Sequence, residues 1–225
     1  MKILLFGSTG QVGAAVARAL IADPGCTRLT LINRRPAPEF ADLPGVEQVI
    51  LDTAAEDFAA RVTDVAQEHA AAACCVGIGR GTAAIPEERL LELEVGIVGA
   101  YARGCRAAGT ERLAVLLAVG VTPDSAGSRL KYLRVMGKKL SNLLTVGFPE
   151  LGAFRPGTIV GNRHTPGWLA ALVKLLPDLG GYGAIEQETI GRAFARYLTG
   201  GGRQQREGLV YYDNRDMRKL AEYGD

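Results

Sequence analysis

The sequence predicts a doubly wound α/β fold built on a parallel sheet. Short apolar runs alternate with longer stretches of helical period, a glycine-rich turn follows the first run at once, and no linker or internal repeat divides the chain. Buried strands separated by helices of this length join as right-handed βαβ units.

Lys2–Phe6 is a continuous apolar run, too short for a helix and closed by Gly7. Val12–Ala22 follows as a helix with Val12, Val16, Ala19 and Leu20 on one face. Arg28–Asn33 and Glu47–Leu51 are strands and Phe58–Ala66 a helix. The glycine cluster Gly77–Gly81 favours a strand over a helix for Ala71–Val76. Glu87–Cys105 is one long helix with Leu90, Leu93, Ile97 and Tyr101 on its stripe, Leu113–Ala118 a strand, Leu130–Leu144 a helix and Gly152–Arg155 a strand ending at Pro156. Beyond it, Trp168–Leu176 and Glu188–Leu198 read as helices, Gly208–Tyr212 as a late strand and Arg215–Tyr223 as a terminal helix. The expected organisation is one domain over 1–225, a core at 1–156 and a substrate-side appendage at 157–225.

At 225 residues the chain can bury a core without staples. Its 26 basic and 24 acidic residues leave a net charge of +2, and no basic stripe with interleaved aromatics appears. That balance gives no reason to expect nucleic acid or an anionic membrane as partner. Cys26, Cys74, Cys75 and Cys105 lack metal-ligand spacing and read as buried, reduced thiols. The opening MKILLFGSTG has no signal-peptide core and the chain no stretch of spanning length, so a cytoplasmic protein is expected.

Gly7-Ser8-Thr9-Gly10-Gln11-Val12-Gly13 lies between the first strand and the first helix. Glycine there serves a tight turn, close backbone approach to a pyrophosphate and close helix–sheet packing, and the helix N-terminus offers free N–H groups to phosphate. No Lys–Ser/Thr pair follows, which excludes the phosphate loop of kinases and ATPases. About 20 residues beyond the loop, where NAD enzymes place a carboxylate on the ribose 2′-hydroxyl, stands Asn33-Arg34-Arg35. A 2′-phosphate repels a carboxylate and recruits guanidinium, so the expected cofactor is NADP(H). Asp52, closing the third strand, either caps the next turn or meets the adenine amine.

GSTGQVG, the strand end INRR, CCVGIGRG, and FRPGTIV followed by PGW resemble the atypical short-chain dehydrogenase/reductases, in particular the Tat-interacting-protein-like oxidoreductases, with NmrA-type proteins as wider relatives. The resemblance spans Lys2 to about Leu220. It implies a single Rossmann-type domain binding NADPH, with Gly77, Arg80 and Gly81 along the cofactor and Arg155 in the turn on its nicotinamide side. It also implies a catalytic Ser after the fifth strand and Tyr-x-x-x-Lys on the next helix. Tyr132 matches, but the i+4 position is Met136. Lys138 is turned away, and Lys139 shares the Tyr132 face roughly 10 Å further along the axis. The fifth strand ends Leu116-Leu117-Ala118-Val119-Gly120, without a hydroxyl; Thr122, Ser125 and Ser128 follow.

Tyr132 is therefore the candidate acid, without its usual partners. His69 is expected to be solvated. His164 is a loop residue at the ligand-binding edge, and Trp168 with Gly180–Gly183 either shapes a substrate wall or packs. Two functions remain: an NADPH-dependent reductase of a small carbonyl compound, and a non-catalytic NADP(H)-binding regulator or sensor with a protein partner.

Overall fold

The computed structural model describes residues 1–78, 82–161, 183–200 and 207–222. The strands β1 (Lys2–Phe6), β2 (Arg28–Asn33), β3 (Val46–Ile50), β4 (Ala71–Cys74), β5 (Arg112–Leu116), β6 (Glu150–Phe154) and β9 (Gly208–Tyr212) form one parallel sheet in the order β3-β2-β1-β4-β5-β6-β9. The order reverses between β1 and β4, and ligands of open α/β sheets bind in the crevice at such a switch point. A separate parallel pair, β7 (Thr158–Val160) with β8 (Ala184–Glu186), is too short for a sequence pattern to reveal.

Alternation along the strands divides the core in two. Leu4 and Phe6 point to one face, with Phe58 and Val62 of α2 (Phe58–Val65), Val98 and Tyr101 of α4 (Ile97–Ala107) and Val135, Leu140 and Leu143 of α5 (Lys131–Val146). Ile3 and Leu5 point to the other, with Val16 and Leu20 of α1 (Gln11–Ala22), Ile190 and Phe194 of α6 (Gln187–Thr199) and Met217 of α7 (Asn214–Glu222). The C-terminal third thus supplies a helix layer and the seventh strand of the core sheet itself. The helix expected over Glu87–Cys105 is interrupted: α3 (Glu87–Leu91) leads through a π-helical turn, Glu92–Gly96, into α4.

His69 corrects an expectation. It is buried, with Nε2 3.0 Å from Thr30 Oγ1 and Nδ1 3.0 Å from the Gln67 carbonyl oxygen. Cys74, Cys75 and Cys105 are buried free thiols as expected, whereas Cys26 is partly exposed.

Candidate active site

The glycine loop forms one wall of a crevice at the switch point. Gly7 has φ +96°, and an added Cβ would lie 2.9 Å from Val76 Cγ2, so only glycine makes this turn so close to the strand β4 exit. Gly13 lets α1 press on the loop, where a Cβ would stand 2.1 Å from the Gly7 carbonyl oxygen. Gly10 differs: its Cβ would meet only the Gly7 oxygen, at 3.5 Å, and would otherwise enter open space. Gly10 is the N-cap of α1, with no side-chain cap and no acid in the first turn. The N–H groups of Gln11, Val12 and Gly13 therefore stand at the helix end without intrahelical partners. This cradle suits the pyrophosphate of a dinucleotide.

Phe6, Gly7, Thr9, Gly10, Asn33, Arg34, Thr53, Cys75–Ile78, Leu93 and Ile97 line the crevice. Ser8 and Asn33 are buried and bond each other, Asn33 Nδ2–H donating to Ser8 Oγ at 2.8 Å; they brace the loop against β2. Thr9 and Gln11 are exposed and Val12 is half-buried. Arg34 and Arg35 are exposed and unpaired among the described residues, and Arg34 is the one that lines the crevice. Asp52 caps its own turn, accepting the Ala54 N–H at 2.9 Å, while Thr53 faces the crevice. Gly77 lines the opposite wall. Arg80, Gly81, His164, Trp168, Gly180 and Gly181 lie outside the described residues.

Arg155 follows β6 with its side chain already engaged. Its guanidinium makes a two-pronged pair with Asp213 at 2.9 and 3.0 Å, donates to the Val121 carbonyl at 2.9 Å, and stacks 3.9 Å from the Tyr211 ring centre. The side chain ties together the loops after β5, β6 and β9 and is not part of the crevice wall.

Tyr132, near the start of α5, is 36% exposed. Burial of part of its ring, reinforced by the negative charge of Glu94 and opposed by Lys139, raises its phenol above the usual value. Met136 is buried. The cations around Tyr132 are engaged: Lys131 Nζ donates to the Ala83 and Ile85 carbonyls, both at 2.8 Å, Arg134 pairs with Glu87, and Lys138 lies 3.9 Å from the same carboxylate. Lys139 is 1% exposed and donates to Glu94 Oε2 at 3.0 Å, the Val76 carbonyl at 3.1 Å and the Leu116 carbonyl at 3.3 Å. Burial pushes its ammonium pKa down, but Glu94 outweighs that and holds it above the ordinary value. Thr122 and Ser125 form a reciprocal cap on the turn Pro123–Gly127, and Ser128 Oγ accepts the Leu130 N–H, so these hydroxyls serve the loop's own backbone.

Glu94 was not singled out from the sequence, although a signal existed. Leu90, Ile97 and Tyr101 share its face at helical spacing, and on α5 Lys139 sits likewise between Met136 and Leu143. Opposite charges on the buried faces of neighbouring helices imply an internal pair.

No family model matches the chain. It is 28% identical to the HTATIP2 protein of Rattus norvegicus over 213 residues, 92% of this chain and 84% of that one. It is 25% identical to the mitochondrial protein FMP52-1 of Scheffersomyces stipitis over 166 residues, 73% of this chain and 70% of that one. Among solved structures, a putative NAD-dependent epimerase/dehydratase from Bacillus halodurans matches with a TM-score of 0.70, 16% identity and 99% coverage of both chains. The triphenylmethane reductase of Citrobacter sp. complexed with NADP(H) matches with a TM-score of 0.68 and 17% identity, over 95% of this chain and 69% of that one. The chain is thus similar in sequence to the HTATIP2 and FMP52 proteins, and it shares the Rossmann-like fold of these solved structures. The glycine loop and the crevice lie together at the switch point of this fold, and the position four residues after Tyr132 is Met136.

Proposed function

We propose that this chain binds NADP(H) in the crevice between the glycine loop and Val76–Ile78, and acts as a reductase of a small carbonyl compound. One observation carries the choice of nucleotide: β2 is followed at the crevice by Arg34, unpaired among the described residues, where NAD binding would call for a carboxylate. The first-turn N–H groups of α1 would hold the pyrophosphate, Gly10 leaving room for it, and Arg34, with Arg35 beside it, would hold the 2′-phosphate.

Bound NADPH supplies a hydride donor. Tyr132 retains its proton at neutral pH and is the candidate to deliver it to the substrate oxygen. Without a free ammonium beside it, that delivery is slow; loss of a matched acid typically costs about 10²–10⁴-fold. The engagement of Lys139 with Glu94 favours a second reading, a non-catalytic NADP(H)-binding regulator or sensor whose partner is a protein. Neither nucleic acid nor membrane is a proposed partner, and no helix among the described residues is long and apolar enough to span a bilayer. A cytoplasmic location is part of this proposal, although the FMP52 relatives are named mitochondrial.

Following NADPH absorbance across a carbonyl panel separates the two readings. Turnover that Tyr132→Phe abolishes, with NADPH affinity intact, supports the reductase. A nucleotide-dependent rise in Tm without consumption across the panel supports the sensor.

A further inference from the structure

The crevice has a second wall, and its support lies inside the protein. Val76, Gly77 and Ile78 leave the end of β4 opposite the glycine loop, and all three line the crevice. The Cys75 N–H still donates to the Phe6 carbonyl at 2.9 Å, so the segment starts in register with β1 and then departs from it. From there it is held from behind by one carboxylate and one ammonium. Glu94 Oε1 accepts the Ile78 N–H at 2.7 Å, and Glu94 Oε2 accepts from Lys139 Nζ at 3.0 Å. Lys139 in turn donates to the Val76 carbonyl and, across the next strand, to that of Leu116. Glu94 sits in the π-helical turn, the one place where the α3–α4 run departs from α-helical spacing, and π turns often mark functional positions.

Stability alone does not explain this pair. A buried ion pair is commonly no better than apolar residues of the same volume, while removing one partner strands a charge. The backbone is also shaped to the carboxylate: a Cβ at Gly77 would stand 3.3 Å from Glu94 Oε1. The wall is coupled to the glycine loop, since the space beside Gly7 is filled by Val76.

We propose that Glu94 is a positioning residue for the nucleotide crevice: with Lys139 as its counter-charge it fixes the backbone of Val76–Ile78 at the distance from the glycine loop that a dinucleotide requires. This rests on the nucleotide reading above and adds to it the residue pair that sets the crevice width. The pair acts through backbone; with Nζ directed to Glu94 and two carbonyls, Lys139 does not take over the role of the cation missing at Met136.

Two double variants isolate the anchor from the charges. Glu94→Gln/Lys139→Met removes both charges but keeps an acceptor for the Ile78 N–H; Glu94→Leu/Lys139→Leu removes the acceptor too. NADPH titration and hydrogen exchange at the Ile78 amide are read on the full chain with each. The first variant is expected to bind NADPH near wild-type affinity with a protected Ile78 amide. The second is expected to bind roughly tenfold more weakly, about the effect of one charge-assisted hydrogen bond, and to exchange Ile78 rapidly. Equal affinity for both doubles, or losses that follow Tm alone, would overturn the proposal. Should the doubles fail to fold, Glu94→Asp keeps the charge and retracts the carboxylate; unchanged Ile78 exchange in that variant would overturn it equally. If wild type binds neither NADPH nor NADH, the nucleotide reading falls by itself, and Ile78 exchange still judges the anchor.

Discussion

Two glycines only three residues apart should respond to alanine in different ways. Gly10 has φ −85° and ψ 157°, a conformation open to any residue, and its Cβ would make only ordinary contact at 3.5 Å. Gly10→Ala therefore costs the fold no more than a poorer helix cap, about 1 kcal/mol, or about 2–4 °C in Tm at this chain length. The same methyl enters the space assigned to pyrophosphate. Displacing two charge-assisted hydrogen bonds of about 1.5–3 kcal/mol each weakens NADPH by more than about 100-fold. Gly13→Ala places its Cβ 2.1 Å from the Gly7 oxygen and 2.8 Å from the Gly7 carbonyl carbon. Both neighbours are backbone and cannot rotate away, so overpacking of about 1–3 kcal/mol lowers Tm by about 2–12 °C. Melting curves with NADPH calorimetry on both variants check this. A Gly10→Ala protein that binds NADPH like wild type would reduce the loop to a mere βα turn.

Arg34→Ala should weaken NADPH at least about tenfold and leave NADH unchanged, as loss of a phosphate-bound guanidinium requires; parallel titrations decide, and equal losses remove the 2′-phosphate assignment. Arg155→Ala should leave NADPH affinity unchanged and lower Tm by several degrees, because Asp213 loses a two-pronged partner; weakened binding at constant Tm would instead assign Arg155 to the cofactor site. Burial depresses the His69 pKa, outweighing the hydrogen bonds that favour its charged form. Below about pH 6.5 the unfolded chain therefore binds a proton that the folded chain resists, and stability falls as pH falls. His69→Gln should shrink the Tm difference between pH 7.5 and 5.5; an unchanged difference would exclude His69 as its source.

The elements that carry their own period were legible. β1, β2 and β9 occupy the spans expected of them, because a short apolar run between glycine or charge has few other readings. The π turn was not legible, because one extra residue per turn barely disturbs an apolar stripe already dense in leucine. The three-residue β7 and β8 are defined by pairing across the chain and not by local pattern. At the site, the glycine loop and Arg34 could be read because backbone chemistry fixes their spacing. Asn33, Ser8 and Arg155 stand close to the expected elements, but their side chains brace loops; sequence gives position along an element, not the partner a side chain finds. His69 shows the same limit, a polar-looking helix end that topology folds under β2 beside Thr30.

Calorimetric titration of the wild-type chain with NADPH and with NADH probes the crevice and its Arg34 rim together. Saturable binding of one nucleotide per chain is expected, with NADPH preferred by at least about tenfold, the weight of one guanidinium–phosphate contact. A flat titration with both nucleotides, or a preference for NADH, would contradict it.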